Sequence, residues 1–257
     1  MNFFFAIKSD YFSCELTIPK FQNDGSQVNS FVPFECFIKN NNWIIKKSDY
    51  LENENFFFIN EFNINNKKIF FLSNDNEIKK NYLNLKNNLV DLNSFTDTKP
   101  IEFRCNLKIF IKSMGFSSYQ SDYSYKMTKI KGSVLSPIFT LLNRDADRNF
   151  IIFKNIYYKP LEDKFNGYLI DIKNKSIVKK FELYTNFTNT IEIQKHEISD
   201  NIFFYADGFS GIPIYISLKD GHISMEHTHP PHLYILGDDK FLKINEIKNY
   251  VKKIIDR

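Results

Sequence analysis

The chain has 257 residues, enough for one large all-β domain or two smaller ones. Its 34 basic and 30 acidic residues leave a net charge of +4 spread along the whole length, which argues against a dedicated nucleic-acid surface; no run approaches the roughly 20 apolar residues that span a bilayer. Cys14, Cys36 and Cys105 are odd in number, far apart and without a CxxC pair, so neither a disulfide framework nor a zinc knuckle is expected, and a reducing, cytoplasmic compartment is the default.

Composition favours strands, with 28 phenylalanines and 14 tyrosines, while alanine occurs only at Ala6, Ala146 and Ala206. The start, MNFFFAIKSDYF, has too short an apolar run and no basic leader, and reads as a first strand. Up to about Leu72 short aromatic runs alternate with turn-forming groups such as Asn40-Asn41-Asn42, the spacing of a meandering antiparallel sheet of five or six strands. Ile78, Tyr82, Leu85 and Leu89 recur at helical spacing and predict an amphipathic helix over 76–92. The polar piece 93–100 follows without periodicity. It divides an N-terminal β subdomain, 1–97, from a C-terminal one, 98–257.

From Ile101 to Ser113 apolar and polar residues alternate as in a strand with one buried face. The stretch 115–137, rich in small polar residues and tyrosines, reads as a long loop with a ligand-binding surface of Tyr119, Gln120, Asp122 and Tyr123. The competing reading is a loop packed by its own side chains. A helical turn is expected near 137–142, then strands over 150–159, 165–172, 176–184, 190–194 and 201–205. Arg144-Asp145-Ala146-Asp147-Arg148 reads as a self-paired surface turn. No internal repeat is visible. The last piece, 240–257, places Phe241, Leu242, Ile244, Ile247, Val251, Ile254 and Ile255 on one side of a terminal helix.

The chemistry concentrates in 211–237, which holds four of the five histidines. Asp220-Gly221 between two apolar runs signals a two-residue hairpin, because a type I′ turn needs φ > 0 at both central positions. Lys219 then faces His222, Leu218 faces Ile223, Ile216 faces Met225, Ile214 faces His227 and Ile212 faces His229. His227 and His229 share the apolar face; His222 and Glu226 point the other way with Tyr215. Two imidazoles side by side before Pro230-Pro231, with His232 folding back, would hold a divalent transition metal, zinc or iron; the competing reading is that these histidines cap a strand end, with their ring nitrogens bonded to backbone carbonyls. The run from Gly221 to His227-Thr228-His229, with Gly237 beyond, resembles the first half of the cupin metal motif. It departs from that motif at Leu233 and Tyr234, where a glutamate is expected, and no histidine follows His232 to supply the second half.

The expected fold is mainly β, an antiparallel β-sandwich or two packed β subdomains closed by a C-terminal α-helix. The expected function is a metal-binding protein, and potentially an enzyme acting on a small polar molecule, with His227, His229 and His232 as ligands and Glu226 and Tyr119 as catalytic groups. The alternative is a non-catalytic ligand-binding or assembly protein that uses the tyrosine-rich stretch and an exposed aromatic surface. Expected partners are a small molecule or a second copy of the chain, covering an edge strand near 2–7, and neither nucleic acid nor membrane.

Overall fold

The computed structural model describes residues 2–21, 25–27, 30–89, 104–111, 114–227 and 240–256. The described residues are mainly β with a C-terminal helix. In chain order the first strands are β1 (Asn2–Phe5), β2 (Ser13–Pro19), β3 (Val32–Lys39), β4 (Asn42–Lys47), β5 (Leu51–Glu52), β6 (Phe56–Ile59) and β7 (Ile69–Ser73). Helix α1 (Asp75–Leu85) precedes β8 (Asn106–Ile111), β9 (Gly115–Gln120) and β10 (Asp122–Ser124). Then come β11 (Val134–Pro137), β12 (Arg148–Lys154), β13 (Lys164–Asp171), β14 (Ser176–Tyr184) and β15 (Thr188–Ile193). The chain ends with β16 (Ile202–Ala206), β17 (Ile212–Lys219), β18 (His222–His227) and α2 (Lys240–Ile255).

These strands pair antiparallel into four sheets. Sheet I runs β10-β1-β7-β3-β4 and sheet II runs β5-β6-β2-β8-β9; sheet III is β11-β16-β13-β14 and sheet IV is β15-β12-β17-β18. The arrangement is a four-bladed propeller of sheets, which corrects the expected single sandwich. An apolar strand has the same sequence pattern whether its sheet meets one neighbour or two, and that ambiguity hid the extra layers. The polar loop expected over 115–137 is also corrected, since it contains β9, β10 and β11. Along β9 exposed residues alternate with half-buried ones that include Ser117, and a strand whose inward positions are so weakly apolar reads as a loop.

The blades come in two matching pairs. The order β1-β7-β3-β4 in sheet I recurs as β11-β16-β13-β14 in sheet III, and β6-β2-β8-β9 in sheet II recurs as β15-β12-β17-β18 in sheet IV. Even the short 3-10 turns correspond, Glu61–Asn63 lying between β6 and β7 and Lys195–Glu197 between β15 and β16. The chain therefore contains the same eight-strand unit twice, with β5, β10 and α1 added to the first copy and α2 appended to the second. Strand order is set by turn positions and by which face is apolar, not by residue identity, so this repeat left no trace in the sequence.

Two layers of core follow from strand alternation. Ile151, Phe153 and Tyr215 of sheet IV pack against Leu169, Leu183 and Phe204 of sheet III. On the opposite side of sheet IV, Phe150, Ile152, Ile214 and Ile216 join the core of the first unit, with Phe3, Phe5, Leu16 and Ile109. Polar ties cross the same junction: Trp43 Nε1 donates to the Tyr158 carbonyl at 3.0 Å, and Tyr123 Oη donates to the Ser210 carbonyl at 3.1 Å. Sheet IV is thus buried on both faces. Sheet III is covered on its outer side by α2, whose Val251 and Ile254 pack on Tyr168, Ile170 and Tyr205.

Candidate functional site

The β17–β18 hairpin forms in the expected register, with Lys219 opposite His222, Leu218 opposite Ile223, Ile216 opposite Met225 and Ile214 opposite His227. Asp220 (φ 50) and Gly221 (φ 74) both adopt the left-handed region that the turn requires. The face carrying Ile214, Ile216, Leu218 and Met225 is buried, as alternation demands. His229 and His232 lie outside the described residues, and with them the Ile212–His229 pair.

What His227 meets is an aromatic ring. The edge strands β9 and β18 lie side by side, and Tyr119 packs on His227 with ring centroids 4.6 Å apart and a 57° tilt. Two residues that the sequence placed over a hundred positions apart are therefore neighbours. Burial, and then the nearby charge of Asp122, push the Tyr119 hydroxyl up to about 12, so it stays protonated at neutral pH. Glu226 is exposed on the opposite face, beside His222 and across from Tyr215.

The metal-binding reading is corrected here. Among the described residues no group of three or more His, Cys, Asp or Glu stands where it could hold a metal ion. Alternation explains the outcome at His227, which shares its face with Ile214 and Met225 while the nearest carboxylate, Glu226, points away.

The other expected ligand-binding residues separate. Asp122 accepts from the Cys105 backbone N–H at 2.8 Å and pairs with Arg104 at 3.1 Å, so its carboxylate ties β10 to the start of β8. Tyr123 is fully buried in the first core. Gln120 is exposed and points outward from sheet II, where Arg104 donates to its side-chain oxygen at 3.4 Å.

Three further features escaped the sequence reading. Lys154 is fully buried beside Cys36 where sheets I and IV meet, and its Nζ has no hydrogen-bond partner among the described residues. Burial lowers its pKa to about 7, while the thiols of Cys14, Cys36 and Cys105 are all pushed up by burial and are poor nucleophiles. The signal was present in the run Phe150 to Lys154, where both alternate faces are apolar until the lysine. Second, an apolar cleft of about 700 Å3 opens between α2 and the outer side of sheet III, lined by Leu135, Pro137, Phe203, Ile247 and Tyr250 with Asp200 and Glu246 at its rim.

The third feature is the outward face of sheet II. Cross-strand pairing of Pro19 with Phe56, Thr17 with Phe58, Leu51 with Phe58, and Phe110 with Phe116 sets Leu51, Phe56, Phe58, Phe110 and Phe116 on one side. Leu16, Ile18, Phe57 and Ile109 take the buried side. Phe116 remains 67% exposed and Leu51 65%, far beyond what a covered sheet would leave. Lys108 lies over the rings of Phe110 and Phe116, 5.6 and 5.0 Å from their centroids.

No protein-family model matches the chain, and no curated protein and no solved structure matches it. Among the described residues no helix is long and apolar enough to cross a membrane.

Proposed function

We propose that the chain is a non-catalytic binding or assembly protein whose contact surface is the outward face of sheet II. The observation that carries this reading is the set of apolar side chains on this face, Leu51, Phe56 and Phe58 at one corner and Phe110 and Phe116 at the other, of which Leu51 and Phe116 stay exposed. Exposed apolar side chains gathered on one sheet face mark interaction sites, and aromatic side chains supply much of the contact energy there. Gln120 adds a polar position to the same face, and Tyr119, one residue earlier, anchors the strand from behind through His227. Propeller-like blades suit such work, because their stiffness lets a face bind with little ordering cost.

A photo-crosslinking residue in place of Ser118, on this face, tests the proposal in extracts of the native cell. The expected result is a discrete adduct that disappears when Phe58→Thr and Phe116→Thr are added. Absence of any macromolecular adduct would end the reading.

A further inference from the structure

The junction between the two units encloses an amine. Alternation along β12 turns Lys154 the same way as Phe150 and Ile152, toward the first unit, and the side chain is fully buried there. Its strand neighbours are tied across the junction. Lys154 pairs with Thr188 on one side and Ile212 on the other, and Thr188 donates its hydroxyl to the Ala6 carbonyl at 3.1 Å and its backbone N–H to the Asn66 carbonyl at 2.9 Å. The amine is shut in by contacts that hold one unit against the other.

Among the described residues its Nζ has no hydrogen-bond partner. The titratable group that faces it from sheet I is Cys36, whose thiol is kept protonated by burial. Next along β3, Glu35 turns to the other side of the sheet, where Lys46 and Lys68 hold its carboxylate at 3.1 and 2.9 Å. The cross-strand neighbours from β15 and β17, Thr188 and Ile212, carry no charge. An ammonium ion left dry and unpaired is costly, whereas the uncharged amine fits. The least movement that gives the ammonium water is a parting of the two units: sheet IV keeps its own pairing while the side with Phe150, Ile152 and Lys154 leaves the first core.

We infer that the junction is a proton-gated joint, closed around the uncharged amine of Lys154 and biased by uptake of one proton there toward a state in which the two folded units part. The sign follows from linkage. A hydrated lysine keeps its proton to about pH 10.4, whereas in the closed junction burial lowers it to about 7. Across that window the parted state binds more protons, so its population relative to the closed one falls nearly tenfold for each pH unit above about 7 and is level below.

Thiol labelling of the intact full chain with iodoacetamide tests it. Cys36 lies in the junction, while Cys105 is bonded through its backbone to Ser121 and Asp122 of the first unit and reports loss of that unit's own fold. Each rate is divided by that of the same thiol in the urea-unfolded chain at the same pH, which removes the thiol's own titration. Cys36 is expected to react at least about 10-fold faster than Cys105 at about pH 7, with a corrected rate that falls more than about 10-fold by about pH 9 and a fall that Lys154→Met abolishes. Hydrogen exchange of the Trp43 indole, bonded across the junction to the Tyr158 carbonyl, needs no substitution, and its protection should rise over the same pH range. Cys36 labelled no faster than Cys105 overturns the joint, because the junction then opens only when the first unit unfolds. A corrected rate or an indole protection that ignores pH, or a fall that persists in Lys154→Met, overturns Lys154 as its gate.

Discussion

Lys154 is the residue whose position carries the clearest thermodynamic consequence. An unfolded lysine keeps its proton to about pH 10.4, whereas the buried amine gives it up near 7. Between these values the unfolded chain binds more protons than the native one, so stability rises as pH climbs from about 7 to about 10 and is level below that window. At 1.36 kcal/mol per pH unit the full rise is on the order of 4 kcal/mol. Lys154→Met keeps the apolar stem and removes the amine. Urea melts at about pH 6, 8 and 10 should show the variant more stable at the two lower values, with the rise abolished. A slope that persists in Lys154→Met would assign the titration to another group. Gly211 makes a second prediction. A methyl there would clash with the Phe153 ring and stand 2.6 Å from the Lys154 carbonyl oxygen, so backbone must move. Gly211→Ala is expected to cost about 1–3 kcal/mol in the same melts, and a neutral result would mean that the β16–β17 connection yields freely.

At the scale of elements, α2 has the most separable role. Its last two turns bury Val251 and Ile254 over Tyr168, Ile170 and Tyr205, and Lys248 donates to the Ser133 carbonyl at 2.6 Å. Burying one aliphatic side chain stabilises by about 1.5–3 kcal/mol, so deletion of residues 240–257 should remove several kcal/mol and expose the outer side of sheet III. The expected readouts are a lower melting temperature and new binding of a hydrophobic dye. A truncated chain that melts unchanged would show that the helix docks without contributing stability.

Elements also show where the sequence was legible. The β17–β18 hairpin could be read residue by residue, because the Asp-Gly turn sets the register and a period of two sets the faces. The strand over 176–184 and the terminal helix were equally plain from alternation and helical spacing. Strands β9 to β11 were not legible, because polar edge positions carry no apolar alternation to detect. The same limit governed the site. His227 could be placed on the apolar face, but its neighbour there is Tyr119, contributed by a strand from the other unit.

For the molecule as a whole, the two units share one junction. Along the chain they are joined by the β10–β11 connection, which includes the exposed segment 129–132, whereas Phe150, Ile152, Ile214 and Ile216 join them in space. Separated from the first unit, sheet IV would expose that apolar side. Two pieces divided near Gly132, where there is open space around the Cα, should therefore co-purify as a one-to-one complex when expressed together, and the C-terminal piece alone should aggregate. A C-terminal piece that is monomeric and folded by itself would show that the junction is dispensable.

Composition, turn chemistry and local periodicity determined on their own that this chain is built of antiparallel strands, that it ends in an amphipathic helix, and which side of the last hairpin is apolar. Each of these depends on interactions within a dozen or so residues. Only the tertiary structure decided that the strands divide into four sheets, that an eight-strand unit occurs twice, that His227 meets Tyr119, and that sheet II turns Leu51 and Phe116 outward. An alternating strand states that its two sides differ, but the identity of whatever covers each side resides in segments far away along the chain.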